Sequence, residues 1–282
     1  MTIIEAIFLG IIQGLAEFLP ISSTGHLTIA GKLMHLISAA EPHKWTAFIA
    51  VIQLGTLLAI LIYFWKDLWN ILIDFFNDNL FKRKSFANQS QNSKMGWNII
   101  IGSLPVVIIG LGFKDIVEGV LTKNLYVIAG SLILLGLILA LAEKKGKFTR
   151  TIEQLGWKDA LIIGIAQSFA LIPGSSRSGT TITAGLFLGF ERETAARFSF
   201  LLSVPAVLGS GLLEFYQSLE YLDSSGFLTL GIATLFSAIS GYMTIGFLLR
   251  YLKKNTTYIF VFYRIVIGIL IYVFIAANII AP

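Results

Sequence analysis

The chain has 282 residues, of which 56% are apolar and only 13% charged, with a mean hydropathy of +0.80. A water-soluble globule carries about a quarter charged residues, so composition excludes a soluble domain and makes the bilayer the natural solvent. The net charge of +5 then reads as Lys and Arg in loops beside a membrane, not as a nucleic-acid surface, and the absence of cysteine excludes disulfides and thiolate metal sites.

Residues 3–19 lack the basic flank and cleavage site of a leader and read as mature protein. They open an apolar region, 3–37, that is broken at Pro20-Ile-Ser-Ser-Thr-Gly-His26. Full spans are expected at roughly 45–65, 97–113 and 125–142. A second broken region, 158–190, is interrupted at Pro173-Gly-Ser-Ser-Arg-Ser-Gly-Thr-Thr181, and spans follow at roughly 198–217, 227–250 and 258–280. Each piece of a broken region is too short to cross, so each region reads as a re-entrant hairpin, with its unwound backbone buried in protein or lining a wet cavity. The expected fold is an all-α polytopic membrane protein of six full spans and two re-entrant hairpins. A β-barrel would instead show alternating segments of about ten residues. Trp45, Trp65, Trp69 and Trp157 sit at span ends and read as interfacial belts.

The broken regions resemble each other. Glu5-Ala-Ile-Phe-Leu-Gly-Ile-Ile-Gln13 aligns with Asp159-Ala-Leu-Ile-Ile-Gly-Ile-Ala-Gln167, and after a one-residue slip Pro20-Ile-Ser-Ser aligns with Pro173-Gly-Ser-Ser. The chain therefore reads as one integral membrane domain, 1–282, made of two repeat halves of about 1–145 and 155–282. A hairpin plus three spans per half is an odd number of crossings, which inverts the second half relative to the first. Charge agrees with that topology. The loops 66–96, 143–158, 191–197 and 250–257 hold 15 of the 21 Lys and Arg, whereas 38–44, 114–124 and 218–226 hold Lys44, Lys114 and Lys123. Positive-inside counting puts both termini outside. The hairpins then enter from opposite faces, and their Pro-x-Ser-Ser tips are expected to meet at depth.

The polar residues at those tips are the candidate site. Gln13 and Glu17 share a helical face, and a carboxylate inside an apolar helix marks function by default. Ser22, Ser23 and Thr24 supply hydroxyls and a helix cap, while His26 titrates near neutral pH. Ser175, Ser176, Arg177, Ser178 and Thr181 surround a restarting helix with hydroxyls and one guanidinium, the make-up of an oxyanion cradle. Gln53 reads either as a cavity residue or as a bond between helices, and Arg264 either as a second phosphate contact or, as favoured, an anchor. One Arg, one Glu, one His and many hydroxyls within a membrane point to a phosphorylated lipid whose tail stays in the bilayer.

These residues carry a resemblance that covers the whole chain. Gln13-Gly-Leu-Ala-Glu-Phe-Leu-Pro-Ile-Ser-Ser-Thr-Gly-His26, Val51-Ile-Gln-Leu-Gly55, Pro173-Gly-Ser-Ser-Arg-Ser-Gly179 and Phe198-Ser-Phe-Leu-Leu-Ser-Val-Pro205 resemble the undecaprenyl-diphosphate phosphatase family of bacitracin-resistance proteins. The resemblance implies hydrolysis of undecaprenyl diphosphate to the monophosphate and phosphate at the outer face of a bacterial inner membrane. It also implies a divalent cation, Mg²⁺ or Ca²⁺. Gln13 occupies a position where family members carry Glu or Gln, so Glu17 must hold more of any metal, together with substrate phosphates. The expected partners are a polyprenyl diphosphate lipid and the membrane, with no nucleic acid and with room for a homodimer.

Three roles follow as expectations. Arg177, with Ser175, Ser176 and Thr181, holds the diphosphate, joined by Gln13, Ser22, Ser178 and Gln53. Glu17 anchors the metal or serves as general base. Ser23 attacks the terminal phosphorus with His26 moving its proton, His26 and water being the other nucleophiles open to it. The rival from another class is a lipid-phosphate flippase with the same inverted repeats. A phosphatidic-acid-type phosphatase is disfavoured because no His follows His43.

Overall fold

A computed structural model of the chain describes residues 1–37, 42–112, 124–219 and 224–281. Of the expected outer loops, residues 38–41, 113–123 (Lys114 and Lys123 among them) and 220–223 lie outside those described.

The described residues are helical almost throughout. In chain order they form α1 (Ile3–Phe18), α2 (Ser23–Leu33), α3 (Pro42–Tyr63), α4 (Trp65–Phe76), α5 (Gln91–Gly112), α6 (Leu125–Lys145), α7 (Trp157–Ser168), α8 (Arg177–Phe187), α9 (Arg192–Ser218), α10 (Ser224–Leu252) and α11 (Tyr258–Ala276). Six of them, α3, α5, α6, α9, α10 and α11, are long and apolar enough to span a bilayer. These are the six spans expected from sequence, with α5 and α9 starting about two turns earlier in polar sequence.

The shorter helices pair into the two hairpins. Helix α1 opens with a capping box in which Thr2 Oγ accepts from Glu5 N and Glu5 Oε2 accepts from Thr2 N at 2.7 Å. Chain extension at Leu19 ends α1, and α2 restarts at Ser23. Helices α7 and α8 repeat this plan, with a single 3₁₀ turn, Phe169–Leu171, extending α7.

Corresponding features of the hairpins fall 154 residues apart. The cap residues Ser22 and Ser176 have positive φ, 78° and 70°, and each Oγ accepts from the N–H of the glycine three residues on, Gly25 or Gly179. The terminal caps Met34 and Leu188 keep the same offset. The one-residue slip in the sequence alignment is therefore corrected: Ser22 corresponds to Ser176, and Ser23 to Arg177. Similarity of Pro20 and Pro173 misleads because cap geometry, not the proline, sets the register.

Close approach fixes where the hairpins pack. A Cβ on Gly10 of α1 would stand 2.3 Å from Ala233 O of α10, and one on Gly164 of α7 would stand 2.1 Å from Gly102 O of α5. Both glycines let backbone touch backbone, as small residues do between membrane helices. The open end of the first hairpin lies beside the end of the chain, where Lys32 Nζ donates to Ala281 O at 2.8 Å. The open end of the second is held at the far side by Arg150, which donates to both carboxylate oxygens of Asp159, at the start of α7, and to Leu188 O. On that side Glu143, at the end of α6, accepts from Arg192 of α9 and from Thr257 N and Oγ before α11. The hairpins thus enter from opposite sides and their tips meet inside.

Two features differ from the sequence reading. Within the expected loop 66–96 lies α4, whose Trp65, Trp69, Leu72, Ile73 and Phe76 are exposed while only Ile71 is buried. That is the pattern of a helix lying along a bilayer surface. Trp65, Trp69 and Trp157 are exposed as interfacial residues are, but Trp45 is 5% exposed. Its indole fills the space that Gly31 leaves open, so it is packed inside and not part of a belt.

Candidate active site

Glu17, near the end of α1, is 6% exposed and gathers three donors. Its Oε2 accepts from Gln13 Nε2 at 2.9 Å and from Ser23 Oγ at 2.7 Å. Its Oε1 accepts from Arg177 Nη2 at 3.1 Å. Gln13 reaches Glu17 because residues four apart stack on one helical face. Ser23 reaches it because the cap at Ser22 turns the chain back before α2 starts. Arg177 begins α8 and comes from the opposite hairpin, so the ion pair joins the two tips.

Arg177 also donates from Nη1 to Ser199 O at 3.0 Å, while its Nε is buried with no acceptor. Charge at the tips is reinforced by geometry, since α2 and α8 both direct their N-termini there, where free N–H groups favour anions. A second contact between the tips is Ser178 Oγ donating to Leu19 O at 3.0 Å.

Arg264 locks this junction from behind. It is 1% exposed and its guanidinium donates to Pro20 O at 3.2 Å and to Ser175 O at 2.9 Å, with longer contacts to Gly174 O. It also holds Leu132 O and Ser131 O of α6. The anchor expected from sequence is therefore a clamp on both loops.

In front of the junction lies a cavity of about 580 Å³. Glu17, Ser22, Ser23, Ser176 and Arg177 form its polar end, and Gln53 lines it from α3. The cavity runs to Trp45 and Thr46 at the start of α3, Gly110 and Leu111 at the end of α5, and Leu213 and Glu214 near the end of α9. Those three helix ends lie on one side by the alternation of spans. Much of the wall is apolar, including Ile49, Val106, Val107, Pro205 and Val207.

Several expected ligands lie elsewhere. His26 does not line the cavity: its Nδ1 meets Ser22 O and its Nε2 meets Tyr263 Oη, both at 2.7 Å. No hydrogen bond joins His26 to Ser23 among the described residues, so the expected relay between them is not formed. Spacing of three places them on neighbouring faces, but Ser23 turns back to Glu17 while His26 turns to α11. Thr181 Oγ donates to Arg177 O at 2.8 Å and meets Ser199 Oγ at 2.6 Å, which braces the loop instead of facing the cavity. Ser175, fully buried, has a hydroxyl without a partner and also stands behind the wall. Gln13 and Ser178 likewise support Glu17 and Leu19 from outside the cavity. Thr24, Thr28 and Gln167 do line it. Thr24 was among the hydroxyls expected at the first tip, and Thr28, one helical turn further on, was the available signal for a second one.

For a hard cation the protein offers few oxygens. Among the described residues no three His, Asp or Glu side chains gather as a metal cage. Glu17 is the carboxylate lining the cavity that fits one, while Gln13 Oε1 is buried outside the cavity without a donor.

The family profile of the bacitracin resistance protein BacA matches residues 6–270. The chain belongs to the BacA family. It is 58% identical to an undecaprenyl-diphosphatase of Syntrophobacter fumaroxidans over 95% of both chains. It is 50% identical to one of Chlorobium phaeovibrioides and 47% identical to one of Chlorobaculum tepidum, over the full length of each. Both tips of the junction lie within the residues that the BacA profile matches.

Proposed function

We propose that the chain hydrolyses undecaprenyl diphosphate to undecaprenyl phosphate and inorganic phosphate, with the reaction at the junction of the hairpin tips. The observation that carries this reading is Glu17, held between Ser23 Oγ at 2.7 Å and Arg177 Nη2 at 3.1 Å at the polar end of a largely apolar cavity. The apolar walls suit a prenyl tail and the polar end suits its head group.

In this mechanism Ser23 is the nucleophile and Glu17 its base. Ser23 Oγ attacks the terminal phosphorus as its proton passes to Glu17 Oε2, and the bond to the bridging oxygen breaks. Undecaprenyl phosphate leaves, taking the proton from Glu17 in exchange. Water then attacks the phosphoserine, giving its proton to Glu17, and inorganic phosphate departs as the serine hydroxyl is restored. Arg177 and the N–H groups of α2 and α8 neutralise charge on the transferring oxygens, which is most of what phosphoryl transfer asks of a protein. A divalent cation, Mg²⁺ or Ca²⁺, would be held by Glu17 with phosphate oxygens and water, and would add positive charge at the diphosphate. His26 acts indirectly, fixing Ser22 O and hence the cap before Ser23.

The cavity reaches the side that positive-inside counting makes external, which supports an outward-opening site in a bacterial inner membrane. Loss of the terminal phosphate removes the diphosphate that bacitracin binds.

Phosphate release by the purified protein in detergent tests the activity. Ser23→Ala is expected to lower kcat by about a thousandfold or more, a loss of the size of a nucleophile. Substrate labelled in its terminal phosphate is expected to leave label on the acid-quenched wild type and none on the variant. Near-full turnover by Ser23→Ala would overturn the nucleophile, and binding without release by the wild type would overturn the activity.

A further inference from the structure

Gln167 is 1% exposed, lines the cavity and has no hydrogen-bond partner on either Nε2 or Oε1. A buried amide left unpaired is costly, because it forfeits its water without replacement. Its counterpart 154 residues earlier, Gln13, spends its amide on Glu17. Four residues on from Gln167 stands Leu171, so the second hairpin has no carboxylate to accept that bond. Gln167 and Arg177 belong to the same hairpin and both line the cavity.

We propose that Gln167 is a substrate-binding residue whose Nε2 donates to a non-bridging oxygen of the lipid diphosphate. The proposal rests on the reading of the chain as a diphosphate hydrolase and deepens it. Arg177 already divides its donors between Glu17 and Ser199 O, and a diphosphate offers more oxygens than it can serve. A neutral amide suits this second position, since it recognises oxygen without trapping the anionic product. Ligand binding thereby gives a partner to a donor for which the protein supplies none.

Gln167→Met keeps the side chain's length and removes both stranded atoms. It is expected to raise KM for undecaprenyl diphosphate at least about tenfold, the loss of one hydrogen bond to a charged group. Its thermal midpoint without substrate is expected to equal or exceed that of wild type, because no satisfied bond is lost. Gln167→Glu, which sets a carboxylate against the diphosphate, is expected to lose more affinity than Gln167→Met. Affinity for a non-hydrolysable methylene-diphosphonate prenyl lipid is measured alongside, so binding is read apart from turnover. A wild-type KM and analogue affinity in Gln167→Met overturns the proposal while leaving the hydrolase reading intact. A lowered midpoint with unchanged KM overturns it too, by making Gln167 a structural residue. Wild-type protein that binds the analogue but releases no phosphate defeats the hydrolase reading instead, and Gln167 is then judged on analogue affinity alone.

Discussion

Glu17 and Arg177 are both largely buried, with side-chain exposures of 6% and 12%. Each charge is therefore compensated by the other, and breaking such a pair by removing one partner costs about 3–5 kcal/mol. Glu17→Ala is expected to lower the thermal midpoint in detergent as well as to abolish turnover. Adding Arg177→Met to it is expected to recover most of the stability and none of the activity, since no charge is then stranded. A double variant no more stable than Glu17→Ala would show that the pair does not set stability. Of this site, Glu17, Ser23 and Arg177 were legible in sequence, because ionisable groups and hydroxyls in an apolar context have few bland explanations. The division between residues that face the cavity and residues that brace it was not. Ser178 and Thr181 look like cradle hydroxyls in sequence, and only the fold shows them bonded to Leu19 O and Arg177 O.

At the level of elements, the hairpins are seated by glycine. A methyl at Gly164 would collide with Gly102 O on α5, so Gly164→Ala must push α7 away from α5. Overpacking of this kind costs about 1–3 kcal/mol, and it tilts the helix that carries the second tip. A lower midpoint and lower turnover are expected together, whereas Gly231→Ala in α10, with nothing within 4 Å of the new methyl and away from the cavity, is expected to change neither. Equal midpoints for the two variants would refute the seating argument. The connection from α4 to α5 is held differently. Asp78 accepts from Lys84 at 2.7 Å and from Ser90 N at 2.7 Å, and the bond from Lys84 does most to lower its pKa to about 2. A depressed folded value means this contribution is complete above the ordinary 3.8 and disappears as pH falls through about 2. Hydrogen exchange at the Ser90 amide is expected to accelerate within that window, and an Asp78→Asn variant to lose the pH dependence. The helical spacing of Trp65, Trp69, Leu72, Ile73 and Phe76 is the sign of α4 that a search for spans passes over. Its apolar residues cover one face only, so window hydropathy sees a loop where a surface helix lies.

At the scale of the whole molecule, spans, hairpins and inversion could be read from apolar length, Pro-Ser breaks and Lys/Arg placement, since the bilayer permits few alternatives. The cavity could not, because its walls come from helices distant in sequence and its residues there, such as Val106 and Pro205, look like any lipid-facing ones. Absence of cysteine makes the orientation directly measurable. A single Cys at Gly110, beside the cavity, is expected to react with an impermeant maleimide added to intact cells, and a Cys at Arg83 only after lysis. The reverse pattern would invert the protein in the membrane.

The grip of Arg264 on both loop tips has a mechanical consequence. Its acceptors are main-chain oxygens of Pro20, Gly174, Ser175 and α6, with no carboxylate among its described partners. To swing either hairpin aside would strand a guanidinium in a dry interior, at a cost of several kcal/mol. A carrier shuttling cargo between faces must make that swing in every cycle. A hydrolase gains from never making it, because a nucleophile held still is already where the reaction needs it. The internal duplication, which on outline alone suits a rocking machine, has here been riveted at its pivot.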